Sequence, residues 1–222
     1  MDSIVLAGGR AIAVSADVTD RAAVQQAVAH TERVLGPVDL LVNNAAVAMP
    51  VGPAWEVDPE AWWRTIEVNV RGPFLCAHAA LPGMVARRRG RIVNVAAVAA
   101  YRASPFMSAY ASSKAALVRL TDTLAAETRE HGVSVFAVRP GQVQTRMLAE
   151  LTASPWLQRP AGGPAPEAAA ELAAEAIVLL ASGVADALSG RFIDVTTDSM
   201  TDLVNRADEI VRNDLLAMRL RT

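Results

Sequence analysis

Short strand-like runs alternate with longer helical patterns along most of the chain. These runs, which are mostly apolar, lie at 10–16, 38–42, 91–97, 133–138 and 190–195. The helical patterns lie at 20–35, 59–84, 108–130 and 167–181. This alternation is typical of βαβ units, so the sequence predicts an α/β fold with a parallel sheet. Because 38–42 is apolar apart from Asp39, we expect this strand to be buried on both faces.

Two stretches depart from the alternation. Residues 146–166 contain four prolines and two glycines and show no clear period, which predicts a mobile loop that covers a site. Apolar residues recur at helical spacing between 203 and 218, which predicts an amphipathic C-terminal helix. That helix is expected to cover an apolar surface of its own subunit or of a partner. Membrane binding is the weaker alternative, since the polar face is not enriched in basic residues.

Length and composition narrow the classes of function. A chain of 222 residues suits one α/β domain over 1–222. A net charge of −2 provides no general attraction for nucleic acid or anionic membranes. Cys76 is the single cysteine and the three histidines are far apart in sequence, so neither a disulfide nor a metal site is expected. The single cysteine also fits a reducing cytoplasm. Without a run of ~18 apolar residues, the chain is predicted to be soluble.

One lysine stands out against a background of arginine. The chain has 21 basic residues, of which Lys114 is the only lysine, and it follows Tyr110 by four positions. On a helix this spacing places both side chains on one face. A nearby ammonium favours the phenolate and lowers the pKa of a tyrosine from its usual value of about 10. The pair is therefore a candidate for general acid–base catalysis, and the alternative is a solvated helix lysine.

Several motifs around this pair resemble those of the short-chain dehydrogenase/reductase family. The resemblance rests on their order and spacing and covers roughly residues 8–195. The motifs are Asn43-Asn44-Ala45-Ala46 after a strand, Asn69 within a long helix, the strand Arg91-Ile-Val-Asn-Val95, Tyr110-Ala-Ser-Ser-Lys114, and Arg139-Pro-Gly-Gln-Val-Gln-Thr145.

The resemblance implies a Rossmann-type, doubly wound parallel sheet and hydride exchange between an alcohol or carbonyl substrate and NAD or NADP. By resemblance, Tyr110 is the acid–base group, Lys114 lowers its pKa and binds the nicotinamide ribose, and Asn69 holds a proton-relay water. Other residues match segments that line the cofactor in the family. They are Asn44, Ala45, Asp17, Val18, Pro140, Gly141, Val143 and Thr145.

The sequence departs from the family pattern at a catalytic position. The family places a serine thirteen residues before the tyrosine, and this chain has Ala97 there. A methyl group cannot donate a hydrogen bond to the reacting oxygen. Loss of one such donor typically costs on the order of 10²–10³ in rate. Ser104 and Ser108 follow in the next loop, although their spacing favours neither as a replacement.

A second departure concerns the start of the fold. The family begins with a strand, a Thr-Gly-x-x-x-Gly-x-Gly turn and a second strand, and we expect all three to be missing from this chain. Gly8-Gly9 is instead predicted to end a helix. The sheet is thus expected to be incomplete at the N-terminal side, and the 10–16 strand to lack its usual neighbour. A shortened dehydrogenase and a natural remnant are both consistent with this pattern.

Two functions remain open from the sequence. The first is an NAD(P)-dependent short-chain oxidoreductase, and the second is a catalytically weak or inactive relative that acts as a binding or assembly partner. By resemblance, the helices at 59–84 and 108–130 would form a homodimer or homotetramer. Trp156 either lines an apolar substrate site or anchors its loop. The substrate and the choice between NAD and NADP cannot be predicted from the sequence.

Overall fold

A computed structural model of the protein describes residues 2–157 and 170–219. Four parallel strands form one sheet in chain order. The strands are β1 (Leu40–Asn43), β2 (Gly90–Val95), β3 (Val133–Arg139) and β4 (Phe192–Asp194). The helices are α1 (Asp2–Leu6), α2 (Arg21–Leu35), α3 (Pro59–Ile66), α4 (Gly72–Arg87), α5 (Ser108–Thr128), α6 (Arg146–Thr152), α7 (Ala170–Ser182), α8 (Met200–Asn205) and α9 (Ala207–Arg212).

Alternate residues of the central strands face two different hydrophobic cores. Val93 and Phe136 pack with residues of α7, α8 and α9 on one face of the sheet. Ile92 and Val135 pack with residues of α4 and α5 on the other face. Side chains of a strand point alternately to its two faces, so β2 and β3 are covered on both sides. The predicted doubly wound α/β sheet is therefore confirmed.

The predicted strand at 10–16 is wrong. Residues 9–17 have no regular secondary structure, and 13–16 are exposed. A strand needs a neighbour to satisfy its backbone N–H and C=O groups. Within the part of the chain that the structure describes, no strand pairs with this segment. The local β propensity of 10–16 is thus insufficient without a partner.

The expectation that 38–42 is buried on both faces is also wrong. The strand begins at Leu40 and extends to Asn43. Among the described residues β1 pairs with β2 alone, so it lies at an edge of the sheet. Val42 is consequently 37% exposed.

Helix termini were better predicted, because their signals are local. The Asp20 carboxylate accepts hydrogen bonds from the N–H groups of Ala22 and Ala23 and caps α2. Gly8 has a φ of 82° and ends α1, as expected for the Gly8-Gly9 pair. The helical region predicted at 59–84 consists of α3, a π-helical turn at Glu67–Arg71, and α4. The π-helical turn contains Asn69.

The loop predicted at 146–166 is wrong at its beginning, where α6 forms. The Thr145 hydroxyl accepts a hydrogen bond from the Leu148 N–H at 3.2 Å and caps this helix. The prolines and glycines that suggested a loop begin only at Pro155, whereas 146–151 consists of good helix formers. Residues 158–166 of the predicted loop and 167–169 of the predicted helix lie outside the described residues.

The predicted C-terminal amphipathic helix is two short helices, α8 and α9, separated at Arg206. Leu203 and Ile210 are 5% and 1% exposed and belong to the core that contains β3 and β4. The segment that follows also contacts the sheet, because the Leu216 carbonyl accepts a hydrogen bond from the Phe192 N–H at 2.8 Å. Of the alternatives for this tail, coverage of its own subunit is the one observed.

The packing of α7 against one of the two cores predicts how substitutions in this helix change the free energy of unfolding. Leu180 is fully buried, whereas Leu172 on the same helix is 44% exposed. We expect Leu180→Ala to lower the free energy of unfolding by about 2–5 kcal/mol, through lost burial and an unfilled cavity. The same change at Leu172 should cost less than about 1 kcal/mol. Urea unfolding of both variants measures this difference, and equal losses would contradict the assignment of α7 to the core.

Candidate functional site

The candidate site lies where parallel strands end. Because β1, β2 and β3 run in the same direction, their carboxyl ends meet at one edge of the sheet. The segments that follow the strands carry most of the residues that the sequence singled out. The N-terminal turns of α5 add Tyr110 and Lys114.

Lys114 joins α5 to the carboxyl end of β2. Its side chain is buried, with 3% of the residue exposed. The ammonium donates a hydrogen bond of 2.7 Å to the Val95 carbonyl. Burial disfavours the charged form and lowers the pKa of Lys114 from 10.5 to about 8. The alternative of a solvated helix lysine is therefore wrong.

Tyr110 lies beside this ammonium. The Lys114 Nζ atom is 5.6 Å from the centroid of the Tyr110 ring. Burial raises the pKa of Tyr110 from 10.0 to about 12. This direction is opposite to the one expected from the lysine, since loss of hydration outweighs the attraction of an ammonium held at the Val95 carbonyl. In this structure the phenol is thus held in its protonated form at neutral pH.

Asn69 is fully buried, so it is not an exposed helix residue. Its side-chain oxygen accepts from the Val47 N–H at 2.9 Å, and its amide donates to the Val47 carbonyl at 2.8 Å. The same amide donates to the Ser113 hydroxyl at 2.9 Å. Asn69 therefore joins the segment after β1 to the helix that carries Tyr110.

A second chain of buried hydrogen bonds, formed by side chains, connects β1 and β2 to α5 near the same edge. Asn43 and Asn94 are register partners on β1 and β2, and the Asn43 amide donates to the Asn94 side-chain oxygen at 2.8 Å. Asn94 donates onward to the Thr121 hydroxyl of α5 at 2.9 Å. The sequence alone did not predict this role for Asn43, Asn94 or Thr121. The available signal was the asparagine within each of two largely apolar strands, which predicts a pair once the register is known.

The residues expected along a cofactor surround this edge. Asn44 and Ala45 directly follow β1 and are exposed. Pro140, Gly141 and Val143 follow β3 and are partly exposed, and Gly141 has a φ of 83°. Thr145 is exposed, and its hydroxyl caps α6. These segments leave main-chain and side-chain groups accessible to a ligand.

Asp17 and Val18 lie in the turn before α2. The Asp17 carboxylate accepts hydrogen bonds from the N–H and hydroxyl of Thr19, both at 2.8 Å, and pairs with Arg64 at 3.0 Å. These hydrogen bonds, with Thr19 contributing most, lower the pKa of Asp17 to about 2. Val18 packs against Gly72, where a methyl group would come within 2.8 Å of the valine side chain. The turn is thereby fixed to the helical region that contains Asn69.

Ala97 adopts an extended conformation two residues after β2. The two serines considered as replacements make other contacts. The Ser108 hydroxyl accepts a hydrogen bond from the Trp62 indole N–H at 3.1 Å. The Ser104 hydroxyl donates to the Arg102 carbonyl at 3.4 Å. The Ser108 hydroxyl is thus engaged with Trp62, and the Ser104 hydroxyl makes one long hydrogen bond within its own loop.

An aromatic contact joins three segments near the same edge. The rings of Phe106 and Trp156 are 5.3 Å apart. The Phe106 carbonyl accepts a hydrogen bond from the Gly52 N–H at 2.8 Å. Trp156 therefore anchors its segment, which was one of its two expected roles, and it remains 43% exposed.

Two kinds of feature are absent from the described part of the chain. Within residues 2–157 and 170–219, none of the helices combines the length and apolar character needed to cross a lipid bilayer. In the same part of the chain, no cluster of three or more His, Cys, Asp and Glu side chains is arranged to hold a metal ion.

Comparisons with known proteins agree with the fold. A family model described as short chain dehydrogenase matches residues 2–156. A short chain dehydrogenase (pigC) of Monascus ruber is 35% identical over 93% of this chain and 66% of its own. An inactive 2-(S)-hydroxypropyl-CoM dehydrogenase 2 of Xanthobacter autotrophicus is 48% identical over 61% of this chain and 59% of its own.

A solved structure extends this likeness to three dimensions. It is a gluconate 5-dehydrogenase from Burkholderia cenocepacia in complex with NADP and tartrate. It superposes with a TM-score of 0.72 and 27% identity over 82% of this chain and 74% of its own. The chain spans about half to two thirds of the length of several of the curated relatives that it matches.

The buried lysine predicts a pH-dependent stability. Between about pH 8 and 10.5 the unfolded chain retains the Lys114 proton that the folded protein has released. Stability therefore rises with pH over this interval, by up to about 1.4 kcal/mol per pH unit. We expect the free energy of unfolding of the wild type, relative to Lys114→Met, to increase from pH 7 to 9.5. Urea unfolding at several pH values measures it, and a constant difference would contradict the lowered pKa.

Proposed function

Because the chain belongs to the short-chain dehydrogenase family, we propose that it is an oxidoreductase that transfers hydride between NAD or NADP and an alcohol or ketone. The observation that carries the proposal is the pairing of Tyr110 with a buried Lys114 at the carboxyl edge of the sheet. A single ammonium kept out of water beside a phenol costs stability. A catalytic role of the pair would account for this loss of stability.

The residues at this edge fit the nicotinamide end of such a cofactor. Asn44 and Ala45 are exposed after β1, and Gly141 provides a left-handed backbone position after β3. Lys114 is the proposed contact to the ribose. When bound, the nicotinamide supplies or accepts the hydride. Asp17 and Val18 are the proposed contacts to the adenine, although the Asp17 carboxylate is already paired with Arg64 and Thr19.

The proposed proton chemistry follows from the two pKa shifts. A phenol whose pKa is about 12 stays protonated at neutral pH, so Tyr110 is ready to donate a proton to the oxygen of a ketone. Lys114, with a pKa of about 8, can return a proton to Tyr110 near neutral pH. Asn69 is fixed in place by Val47 and Ser113. We propose that Asn69 positions a water molecule in the proton path, although both protons of its side-chain amide are already donated to Val47 and Ser113.

A second candidate function is favoured by Ala97. Its methyl group cannot donate a hydrogen bond to the reacting oxygen, and Ser108 and Ser104 are bound elsewhere. One relative of this chain is itself described as inactive. The second candidate is therefore a weak or inactive relative that serves as a binding or assembly partner.

Activity measurements test the proposed reaction. We expect the protein to oxidise NADH or NADPH in the presence of a ketone from a broad panel of carbonyl compounds. Tyr110→Phe should abolish this activity, since the phenylalanine side chain has no hydroxyl proton to donate. Tyr101→Phe is the control, because Tyr101 is the other tyrosine of the chain and is 51% exposed. Ala97→Ser should raise the rate on the order of 10²-fold by adding a donor.

The two candidate functions differ in their expected outcomes. Absence of activity in both the wild type and Ala97→Ser would rule out the oxidoreductase for this chain. Titration with NADH and NADPH, followed by cofactor fluorescence, separates the cases further. Saturable binding that Lys114→Met weakens supports the proposed enzyme, whereas absence of binding favours the assembly role.

We also propose that the protein assembles through α4 and α5. A largely apolar groove of about 380 Å³ lies along these helices and includes Phe74, Leu81 and Leu124. Phe74 is 45% exposed. A second copy of the chain would remove this apolar surface from water. The assembly proposed is a homodimer or homotetramer.

A charge in the groove tests this assembly. We expect Phe74→Glu to weaken self-association at least tenfold, because the carboxylate would be desolvated in the interface. Trp55→Glu is the control, since Trp55 is 83% exposed in a loop outside the groove. Analytical ultracentrifugation measures both. A monomeric wild type, or equal effects of the two substitutions, would contradict the proposed interface.

A further inference from the structure

Ser113 lies between Tyr110 and Lys114 and has no exposed surface. Its hydroxyl donates a hydrogen bond of 2.7 Å to the Tyr110 carbonyl. It also accepts the hydrogen bond of 2.9 Å from the Asn69 amide. A hydroxyl has one proton, so these two contacts assign it a single direction. The side chain is thereby fixed from both sides.

The orientation of Asn69 is equally determined. Its oxygen accepts from the Val47 N–H, and one amide proton is donated to the Val47 carbonyl. Rotating the amide by 180° would place donor against donor and acceptor against acceptor at Val47. The remaining amide proton therefore points to Ser113. Val47, Asn69, Ser113 and the Tyr110 carbonyl form one continuous chain of hydrogen bonds.

This chain joins three parts of the candidate site. Val47 belongs to the segment that begins with Asn44 and Ala45 after β1. Asn69 lies in the π-helical turn between α3 and α4. The Tyr110 carbonyl lies in the first turn of α5. A buried, fully satisfied hydrogen-bond network of this kind restricts the groups that it connects.

We propose that Ser113 is a positioning residue that fixes the turn bearing Tyr110 relative to the segment after β1. It acts through the backbone of Tyr110 and through Asn69, and it does not touch the reacting atoms. The inference rests on the proposed function for its kinetic consequence, while the placement of the phenol can be measured without any reaction. Displacing a catalytic group by about 1 Å can slow a reaction on the order of 10²-fold.

The kinetic arm of the test compares Ser113→Ala with Thr128→Val. Thr128 is also buried on α5, about 27 Å along the helix from Tyr110, and its hydroxyl shares its proton between the Leu124 and Val133 carbonyls. Single-turnover hydride transfer separates the rate constant from the amplitude, which reports the folded fraction. We expect Ser113→Ala to lower the rate constant about tenfold with little change in amplitude or cofactor affinity. Thr128→Val should leave the rate constant unchanged.

The second arm needs no activity. In a Tyr101→Phe background Tyr110 is the sole tyrosine, so its ionisation can be followed by absorbance at 295 nm after a rapid pH jump. Burial raises the pKa of Tyr110 to about 12. Adding Ser113→Ala should loosen the turn, admit water to the phenol and lower this pKa by about one unit toward its ordinary value. Adding Thr128→Val should not move it.

The two arms separate the two claims. A wild type without hydride transfer contradicts the proposed function, and the phenol titration then decides the role of Ser113. An active wild type with equal rate constants and equal phenol pKa values in the wild type and Ser113→Ala overturns the positioning role. A slower Ser113→Ala with a lowered phenol pKa supports it.

Discussion

The arrangement of the site depends on one buried cation and its acceptor. Lys114 is on α5, and the carbonyl that binds it belongs to Val95 at the end of β2. An ammonium removed from water must find an acceptor, or folding loses several kcal/mol. The helix that carries Tyr110 is therefore tied to the carboxyl end of a central strand. The sheet supplies the other half of the constraint, because parallel strands bring Asn44, Ala97 and Gly141 to the same edge.

Two chains of buried hydrogen bonds, each containing asparagine side chains, also restrict the position of α5. Asn43 and Asn94 connect the ends of β1 and β2 to Thr121 on α5. Asn69 and Ser113 connect the π-helical turn to the turn of Tyr110. Both chains end on α5, one on each side of Lys114 in sequence. The acid–base pair is thus set on a helix whose position is fixed by polar contacts as well as by the packing of its apolar face.

Most of the fold could be predicted from the sequence, because the necessary signals are local. Asp20 and Gly8 mark helix ends by capping chemistry, and the apolar runs of β2 and β3 are long enough to identify buried strands. The failures have physical causes. Among the described residues no strand pairs with the 10–16 segment despite its strand propensity, and Val42 is exposed because β1 lies at an edge. At 146–152 the helix formers outweighed the prolines that follow them.

Within the site, the residue types were predictable but several of their contacts were not. The four-residue spacing of Tyr110 and Lys114 places them on one face of a helix, as the structure confirms. The direction of the Tyr110 pKa was wrong, since a sequence does not reveal how deeply a phenol is buried or where an ammonium is bound. Ser113 and Asn94 were missed for a similar reason. Their partners lie 44 and 27 residues away, and such contacts follow only from the packing of the helices on the sheet.

The central claim is that Tyr110 and Lys114 serve hydride transfer at this edge of the sheet. The most direct measurement supplies NADH or NADPH carrying deuterium at C4 of the nicotinamide and analyses the products of a ketone panel by mass spectrometry. The account predicts an alcohol with deuterium on the former carbonyl carbon, formed by the wild type and not by Tyr110→Phe. A cofactor that binds without transferring deuterium to any ketone, or an equally active Tyr110→Phe, would contradict it.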